Sequence, residues 1–413
     1  MISLPHLEKE DSEIYAYLQE ELKRQQETLE LIASENIVRS TVLDAQGSIA
    51  TNKYAEGYPG KRYYGGCEAV DKIERLAIER VKALFNAEHA NVQPHSGSQA
   101  NQAVFFALLN SGDTVLSLNL NDGGHLTHGH PVNASGKFYH FVHYGLNDKD
   151  EIDFNDVEKM AKEHKPKLII AGGSAYAKKI DFERFQTIAK SIGAYFMVDM
   201  AHYAGLIAAG EYPSPIPFAD VATSTTHKTL RGPRGGIILC KKELASQIDK
   251  AVFPGLQGGP LMHVIAAKAT AFKDVATSEF KVYAKQIISN ARTMAKAFQK
   301  KGYRVIGNET DCHLLLLDLT NKSITGKQAQ ELLDKANITI NKNSIPRETL
   351  SPMVTSGIRI GTPAVTSRGM KELEMEWIVE RIDKAIVHQD DKKMVESIQQ
   401  EVKDFCLKFP IYS

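Results

Sequence analysis

Lys228 lies in the run Ser224-Thr225-Thr226-His227-Lys228-Thr229-Leu230-Arg231-Gly232-Pro233-Arg234-Gly235-Gly236, one lysine among hydroxyl side chains, a histidine and two arginines. Each nearby positive charge disfavours the ammonium, so an amine in this company is pushed toward its neutral, nucleophilic form. That form suits Schiff-base chemistry with a carbonyl. A basic turn leading into the apolar strand Gly236–Cys240 would use the same residues, and the segment alone leaves both open.

Four further places carry chemistry-bearing side chains. Asp199 closes the apolar stretch Tyr195-Phe196-Met197-Val198 and precedes Met200-Ala201-His202. A carboxylate at the end of a buried strand either holds a protonated ring nitrogen, as pyridoxal phosphate requires to act as an electron sink, or caps the next turn. Ser96-Gly97-Ser98 precedes an apolar helical run, where amides, hydroxyls and the helix dipole could take a phosphate; an ordinary serine cap is the alternative. His125-Leu126-Thr127-His128-Gly129-His130 has neither an acid nor a thiol at metal-ligand spacing, so a metal centre is not expected. A single imidazole stacked on an aromatic cofactor is the better use, and His125 beside Gly123-Gly124 is the candidate. Arg359, between apolar neighbours in Gly357-Ile358-Arg359-Ile360-Gly361, offers a fork for a substrate carboxylate, or else an edge-strand ion pair. GxGxxG and GxxxxGK[ST] patterns are absent, which argues against dinucleotide and nucleoside-triphosphate binding.

The elements that must position these residues alternate. Apolar runs at Thr114–Leu120, Leu168–Ala171, Tyr195–Val198, Val221–Ser224 and Gly236–Cys240 read as strands. Helical patterns at Asp71–Leu84, Gln99–Leu109, Asp156–Glu163 and Phe182–Ile192 precede or separate them. The alternation predicts a mostly parallel sheet covered on both faces, with ligands beyond the carboxyl ends of its strands. The interval from Asp199 to Lys228 leaves room for one helix and one strand, so both can reach the same sheet edge. A long helix over Lys281–Lys301 then leads to a different pattern, with strands near Tyr303–Ile306, His313–Leu319, Ile338–Asn341 and Gly357–Gly361 and helices at Gly326–Ala336 and Met375–His388. The expected division is a helical arm over residues 1–25, a large α/β domain over 26–280 and a smaller α+β domain over 281–413. The tail from Asp390 reads as a solvated helix.

Lys+Arg and Asp+Glu both number 50 in 413 residues, so no global charge favours nucleic acid or an anionic membrane. The first thirty residues lack the apolar core of a signal peptide, and the four scattered cysteines form no CxxC pair. A cytoplasmic protein is expected, with no nucleic-acid or membrane partner.

Taken in order, many segments resemble the serine hydroxymethyltransferase family. They are Leu31-Ile32-Ala33-Ser34-Glu35-Asn36, Thr51-Asn52-Lys53-Tyr54-Ala55-Glu56-Gly57-Tyr58-Pro59, Arg62-Tyr63-Tyr64-Gly65-Gly66 and Gln93-Pro94-His95-Ser96-Gly97-Ser98. The series continues with Asp199-Met200-Ala201-His202, the Lys228 run, Phe253-Pro254-Gly255, Gln257-Gly258-Gly259-Pro260 and Thr355 to Thr362. The resemblance implies the aspartate-aminotransferase-like fold type I of pyridoxal-phosphate enzymes, with a large, mostly parallel seven-stranded sheet and a smaller α+β domain. It implies reversible transfer of the serine hydroxymethyl carbon to tetrahydrofolate, giving glycine and methylenetetrahydrofolate.

The same resemblance implies roles for individual residues. Lys228 would carry pyridoxal phosphate covalently, Asp199 would hold its ring nitrogen and His125 would stack on the ring. Ser174 and His202 would lie near the phenolic oxygen. Ser96, Gly97 and Ser98 would cup the phosphate with Tyr54 and Gly259 of a second subunit. Ser34 and Arg359 would bind the amino-acid carboxylate, with Tyr64 nearby from the neighbour. Glu56, also from the neighbour, would move protons at the serine hydroxyl and the folate. Thr225 counts among the catalytic residues, and Leu120, Gly124, Leu126 and Asn343 would contact the pterin. Sites shared in this way imply a homodimer. His130 and Ala134 depart from a pattern of serine and phenylalanine, and Ala175-Tyr176-Ala177-Lys178-Lys179 is unusual after its tyrosine. A threonine aldolase would share Lys228 and Asp199 but give no reason for Glu56. A catalytically silent RNA-binding relative would not need the intact lysine, aspartate, arginine and glutamate.

Overall fold

A seven-stranded sheet forms the centre of the first of two structural units in the computed structural model, which describes residues 4–412. Its strands are β1 (His89–Asn91), β2 (Thr114–Leu118), β3 (His140–Tyr144), β4 (Leu168–Ala171), β5 (Tyr195–Asp199), β6 (Val221–Thr225) and β7 (Gly236–Cys240). In space they run β1-β7-β6-β5-β4-β2-β3. Neighbours from β6 to β3 are parallel, while β7 is antiparallel to both β6 and β1. β4 (Leu-Ile-Ile-Ala) is buried along its whole length, as a central strand covered on both faces must be.

Five of the seven strands are visible as apolar runs. β1 and β3 are not, because His89, Asn91, His140 and His143 interrupt them; both are edge strands, where one side of the ladder needs no partner. The helices start where the side chains allow. Asp181 accepts from the Arg184 amide to open Phe182–Ile192, and Gly193, at φ 70°, ends it. β3 lies on one side of β2 and β4 on the other, so the connections leaving β2 and β4 flank a crevice at the carboxyl ends. This unit spans Val38–Lys285.

The second unit combines the described residues up to Ile37 with Gln286 onward, and the division falls within the helix Ser278–Lys300. Its antiparallel sheet has strands β8 (Arg304–Val305), β9 (Leu314–Asp318), β10 (Asn341–Asn343) and β11 (Gly357–Gly361), in the order β8-β9-β11-β10. Residues 26–37, expected in the large domain, belong here because Leu29–Glu30 pairs in parallel with Ile338–Thr339 and Leu29 and Leu31 are buried in this unit's core.

The tail also departs from expectation. Helix Lys392–Cys406 is not solvated all round: Val395, Ile398, Val402 and Cys406 form one buried face, and Phe405 stacks on Trp377 at 3.9 Å. Arg368 binds this end to the amino-terminal helix Ser12–Glu27. Its five N–H groups reach the carbonyls of Gln25, Gln26, Thr28, Cys406 and Phe409 at 2.8–3.1 Å. Carbonyls at the end of a helix lack internal partners, and a buried guanidinium supplies five donors at once. All four cysteines are buried thiols. Among the described residues no helix is long and apolar enough to cross a membrane.

Candidate functional site

The strand ends of the large sheet assemble most of the expected side chains. Asp199 is the last residue of β5 and pairs in register with Thr223 of β6; Thr225 ends β6 and Lys228 follows in its connection to β7. That connection is short because β7 returns antiparallel, so no crossover helix is needed and the lysine stays at the carboxyl edge. Lys228 is only 7% exposed, which is not the behaviour of a surface turn. The expected cationic crowding is weaker than the sequence implies. Arg231 is ion-paired to Asp274 at 2.9 Å and lies 4.4 Å from the centre of the Tyr283 ring.

Asp199 both closes its turn and anchors a network. Oδ1 accepts from the Ala201 amide at 3.1 Å, while Oδ2 accepts from Asn101 Nδ2 at 2.9 Å and meets His128 Nε2 at 3.1 Å. Asn101 in turn donates to Thr127 Oγ1 at 2.8 Å and accepts from Thr223 Oγ1 at 2.6 Å. Thr127 Oγ1 also meets His125 Nδ1 at 2.7 Å. Burial alone would raise the Asp199 pKa. Hydrogen bonds from His128 and from the Asn101 amide, with the His128 and His125 imidazoles close by, outweigh burial and hold the carboxyl well below its ordinary range. His128 Nδ1 is buried without a partner among the described residues, which favours the tautomer with the proton on Nε2.

His128 and Asn101 are the members that sequence reasoning missed. His128 was visible only as part of a histidine-rich run, and Asn101 only as a polar residue one turn into a helix. His125, His128 and Asp199 place ligand atoms within 4.8 Å of one another, but the His128–Asp199 hydrogen bond already engages two of the three groups.

Ser96 is the N-cap of helix Gly97–Leu108, its Oγ accepting from the Gln99 amide at 3.2 Å. Its hydroxyl therefore does the work of an ordinary cap, while Gly97 and Ser98 form the first turn, whose amides have no partner inside the helix. A Cβ at Gly97 would stand 2.6 Å from Thr225 Cγ2, so only glycine lets this helix start lie so close to the end of β6. The Thr225 Oγ1 is buried with no hydrogen-bond partner among the described residues.

Ser174 follows β4, and its amide donates to Gly123 O at 2.7 Å, joining it to the loop that carries Leu120, Gly124, His125 and Leu126. Thr229 Oγ1 donates to His202 O at 2.9 Å and accepts from the Gly205 amide at 2.9 Å, which stitches the His202 turn to the residue after Lys228.

A second group lies on the surface of the same unit. Tyr54 is hydrogen-bonded to Glu56 at 3.3 Å, meets Tyr64 edge-on at 5.3 Å and packs over Gly259. Tyr54 and Tyr64 are both at least half exposed. The remaining candidates belong to the other unit. Arg359 lies on β11, an internal strand, and is buried with Nε donating to Asn341 Oδ1 at 3.1 Å, so it is not an edge-strand surface arginine. The Gly361 amide donates to Leu31 O at 2.7 Å, and a Cβ there would meet Ala33, so the segment carrying Ser34 runs along the end of β11. Asn343 pairs with Gly357 at the other end.

A family model described as serine hydroxymethyltransferase matches residues 7–382. The chain is 61% identical over 406 residues to the serine hydroxymethyltransferase of Thiobacillus denitrificans and 59% identical over 406 residues to that of Herminiimonas arsenicoxydans. Each alignment covers 98% of both chains.

Proposed function

We propose how the residues divide the work from one premise: the chain belongs to the serine hydroxymethyltransferase family. Its fold is type I of the pyridoxal-phosphate enzymes, and its reaction is the reversible transfer of the serine hydroxymethyl carbon to tetrahydrofolate, giving glycine and 5,10-methylenetetrahydrofolate. The observation that carries the residue assignment is the largely buried Asp199 carboxylate, fixed by His128 and Asn101 one strand from the segment of Lys228.

Pyridoxal phosphate, when bound, takes up the electron pair left at Cα as the serine Cα–Cβ bond breaks. Three observations support its fit. A carboxylate kept ionised in a buried position suits a protonated ring nitrogen. Thr225 Oγ1 is a buried polar atom with no partner among the described residues, which a ligand at the strand ends would satisfy. The close approach of Gly97 to Thr225 brings helix amides to the strand ends, where a phosphate would be held.

Lys228 would hold the cofactor covalently, Asp199 would keep its ring nitrogen protonated and His125 would contact the ring. Ser174 and His202 bind at the phenolic oxygen, and Ser96, Gly97 and Ser98 bind the phosphate. Arg359 and Ser34 take the amino-acid carboxylate. Leu120, Gly124, Leu126 and Asn343 meet the pterin. Glu56 exchanges a proton at the serine hydroxyl and the folate, acting in the site of a second copy together with Tyr54, Tyr64 and Gly259. Support for that homodimer is the exposure of the two tyrosines beside the half-buried Glu56. A cytoplasmic location accords with folate-linked metabolism.

Borohydride reduction of the holoenzyme followed by peptide mapping should label Lys228, and label on another lysine would overturn the assignment. Adding glycine and then tetrahydrofolate should produce a long-wavelength absorbance that grows only with folate. An absorbance independent of folate would favour an aldolase.

A further inference from the structure

Lys268, on the helix Met262–Val275, is 1% exposed, and no salt bridge joins it to a carboxylate among the described residues. Its Nζ donates instead to three main-chain carbonyls: Val92 at 2.7 Å, Gly236 at 2.8 Å and Pro94 at 3.0 Å. Glu74, the nearest acid by electrostatic influence, is engaged by Arg62 at 2.6 Å and by Gln93 at 2.8 Å. Burial pushes the lysine's pKa down to about 7, with Glu74 opposing. The acceptors favour the ammonium, which has one N–H for each carbonyl; a neutral amine would turn its lone pair on one of them.

The three carbonyls are not scattered. Val92 and Pro94 lead from β1 into His95-Ser96-Gly97-Ser98, and Gly236 opens β7. The Gly236 amide donates to Pro94 O at 3.0 Å, and a Cβ at Gly236 would stand 2.3 Å from Ser96 O. A Cβ at Gly235 would stand 2.5 Å from Lys268 Cε. Two consecutive glycines thus let the lysine, the start of β7 and the turn at Ser96 close on one another. Gln257 holds the same turn from another side, accepting from the His95 amide at 3.1 Å and donating to Gln93 O at 3.0 Å.

We propose that Lys268 is the positioning residue of the phosphate-binding turn: its ammonium ties Val92, Pro94 and Gly236 together beneath Ser96–Ser98 and supplies the buried positive charge that the phosphate dianion balances. This rests on the assignment of Ser96, Gly97 and Ser98 to the phosphate. The lysine touches neither substrate nor cofactor; it acts through the backbone it holds.

The test compares pyridoxal phosphate with pyridoxal, which lacks the phosphate, by absorbance titration of the full-length apoprotein. Lys268→Met should weaken pyridoxal phosphate at least 100-fold and pyridoxal less than fivefold. Lys268→Gln, with two N–H donors and no charge, should weaken pyridoxal phosphate about tenfold, and it carries the same comparison should the methionine variant fail to fold. Equal losses for both ligands, or no loss for either, overturn the proposal. Ser98→Ala is the control on the underlying assignment. If it discriminates between the ligands and the Lys268 variants do not, only the role of Lys268 falls. If it does not discriminate, the phosphate cup is wrong and the lysine's role falls with it.

Discussion

His128→Phe removes the hydrogen bond to Asp199 Oδ2 while keeping a flat ring in a buried place. The size of its effect distinguishes two states of the imidazole. A neutral N–H donor to a carboxylate is worth about 1.5–3 kcal/mol, or about one to two pH units at roughly 1.36 kcal/mol each. A full ion pair at 3.1 Å in an effective dielectric of about 20 would be worth about 5 kcal/mol, or about four units. The unpartnered Nδ1 selects the smaller value, because an imidazolium would bury a second N–H with nothing to receive it. The Asp199 carboxyl of the His128→Phe apoprotein, followed by isotope-edited NMR, should therefore titrate about one to two units higher than in wild type. Asp199 would still be ionised at pH 8, so turnover there should fall only about tenfold, through loss of orientation. Asp199→Asn, which removes the charge at every pH, should cost about 1,000-fold or more.

Stability supplies an independent measurement. The Asp199 carboxyl is held below its ordinary value in the folded protein. It therefore contributes stability that is present above the unfolded carboxyl pKa of about 3.9 and lost as pH falls through the folded value. Apoprotein carrying His128→Phe should be less stable than wild type by about 1.5–3 kcal/mol at pH 6, and the gap should narrow only well below the unfolded carboxyl value, as pH falls first through the folded pKa of the variant and then through the lower one of wild type. An unmoved Asp199 titration, or a loss at pH 8 as deep as that of Asp199→Asn, would refute the reasoning. A shift of about four units would mean that His128 carries a full charge.

Glu56→Gln should lower folate-dependent serine cleavage about 100-fold or more while leaving the dissociation constant of pyridoxal phosphate within threefold; a stopped assay and an absorbance titration measure the two, and unchanged cleavage would remove Glu56 from proton transfer. Gly172 has φ +124°, and an added Cβ would stand 2.1 Å from Asp199 O, so Gly172→Ala should destabilise the apoprotein by about 3–5 kcal/mol; a melting temperature within 2 °C of wild type would show that β4 and β5 can part without cost. Arg368→Met leaves five carbonyls without their donors and should cost about 3–5 kcal/mol, read as a fall of about 3–6 °C in melting temperature and as faster proteolysis of helix Lys392–Cys406. Proteolysis and melting at wild-type values would mean that water replaces the guanidinium at these helix ends.

What was legible in the chain was whatever a short stretch can state by itself. β4, β6 and β7 are apolar runs bounded by breaks, and Asp199 and Lys228 announce themselves by ending or following such runs. β1 and β3 carry histidine and asparagine within them and only a neighbouring strand makes them sheet. The tail helix was misjudged for a related reason: Val395, Ile398, Val402 and Cys406 lie on one face, yet the intervening charges dominate the composition. Arg368 gives no local signal, since its five acceptors come from segments at opposite ends of the chain.

The site shows the same boundary at higher resolution. Residues that meet a ligand are drawn from a few chemical types, so Lys228, Asp199 and Ser96–Ser98 stand out by type and position. Residues that hold those residues are not. Asn101 sits inside a helix, where a polar side chain usually faces water, and Lys268 lies in the apolar stretch Ile265-Ala266-Ala267-Lys268-Ala269. What betrays Lys268 in retrospect is the pair Gly235-Gly236, which removes side chains at the place where its amine must pass. A glycine with no turn to make is a record of something large arriving close by. The same logic applies to Gly97 against Thr225, where the substitution that tests the contact is the addition of one methyl group, whereas at Gly172 the φ of +124° and the closeness of Asp199 O both require glycine.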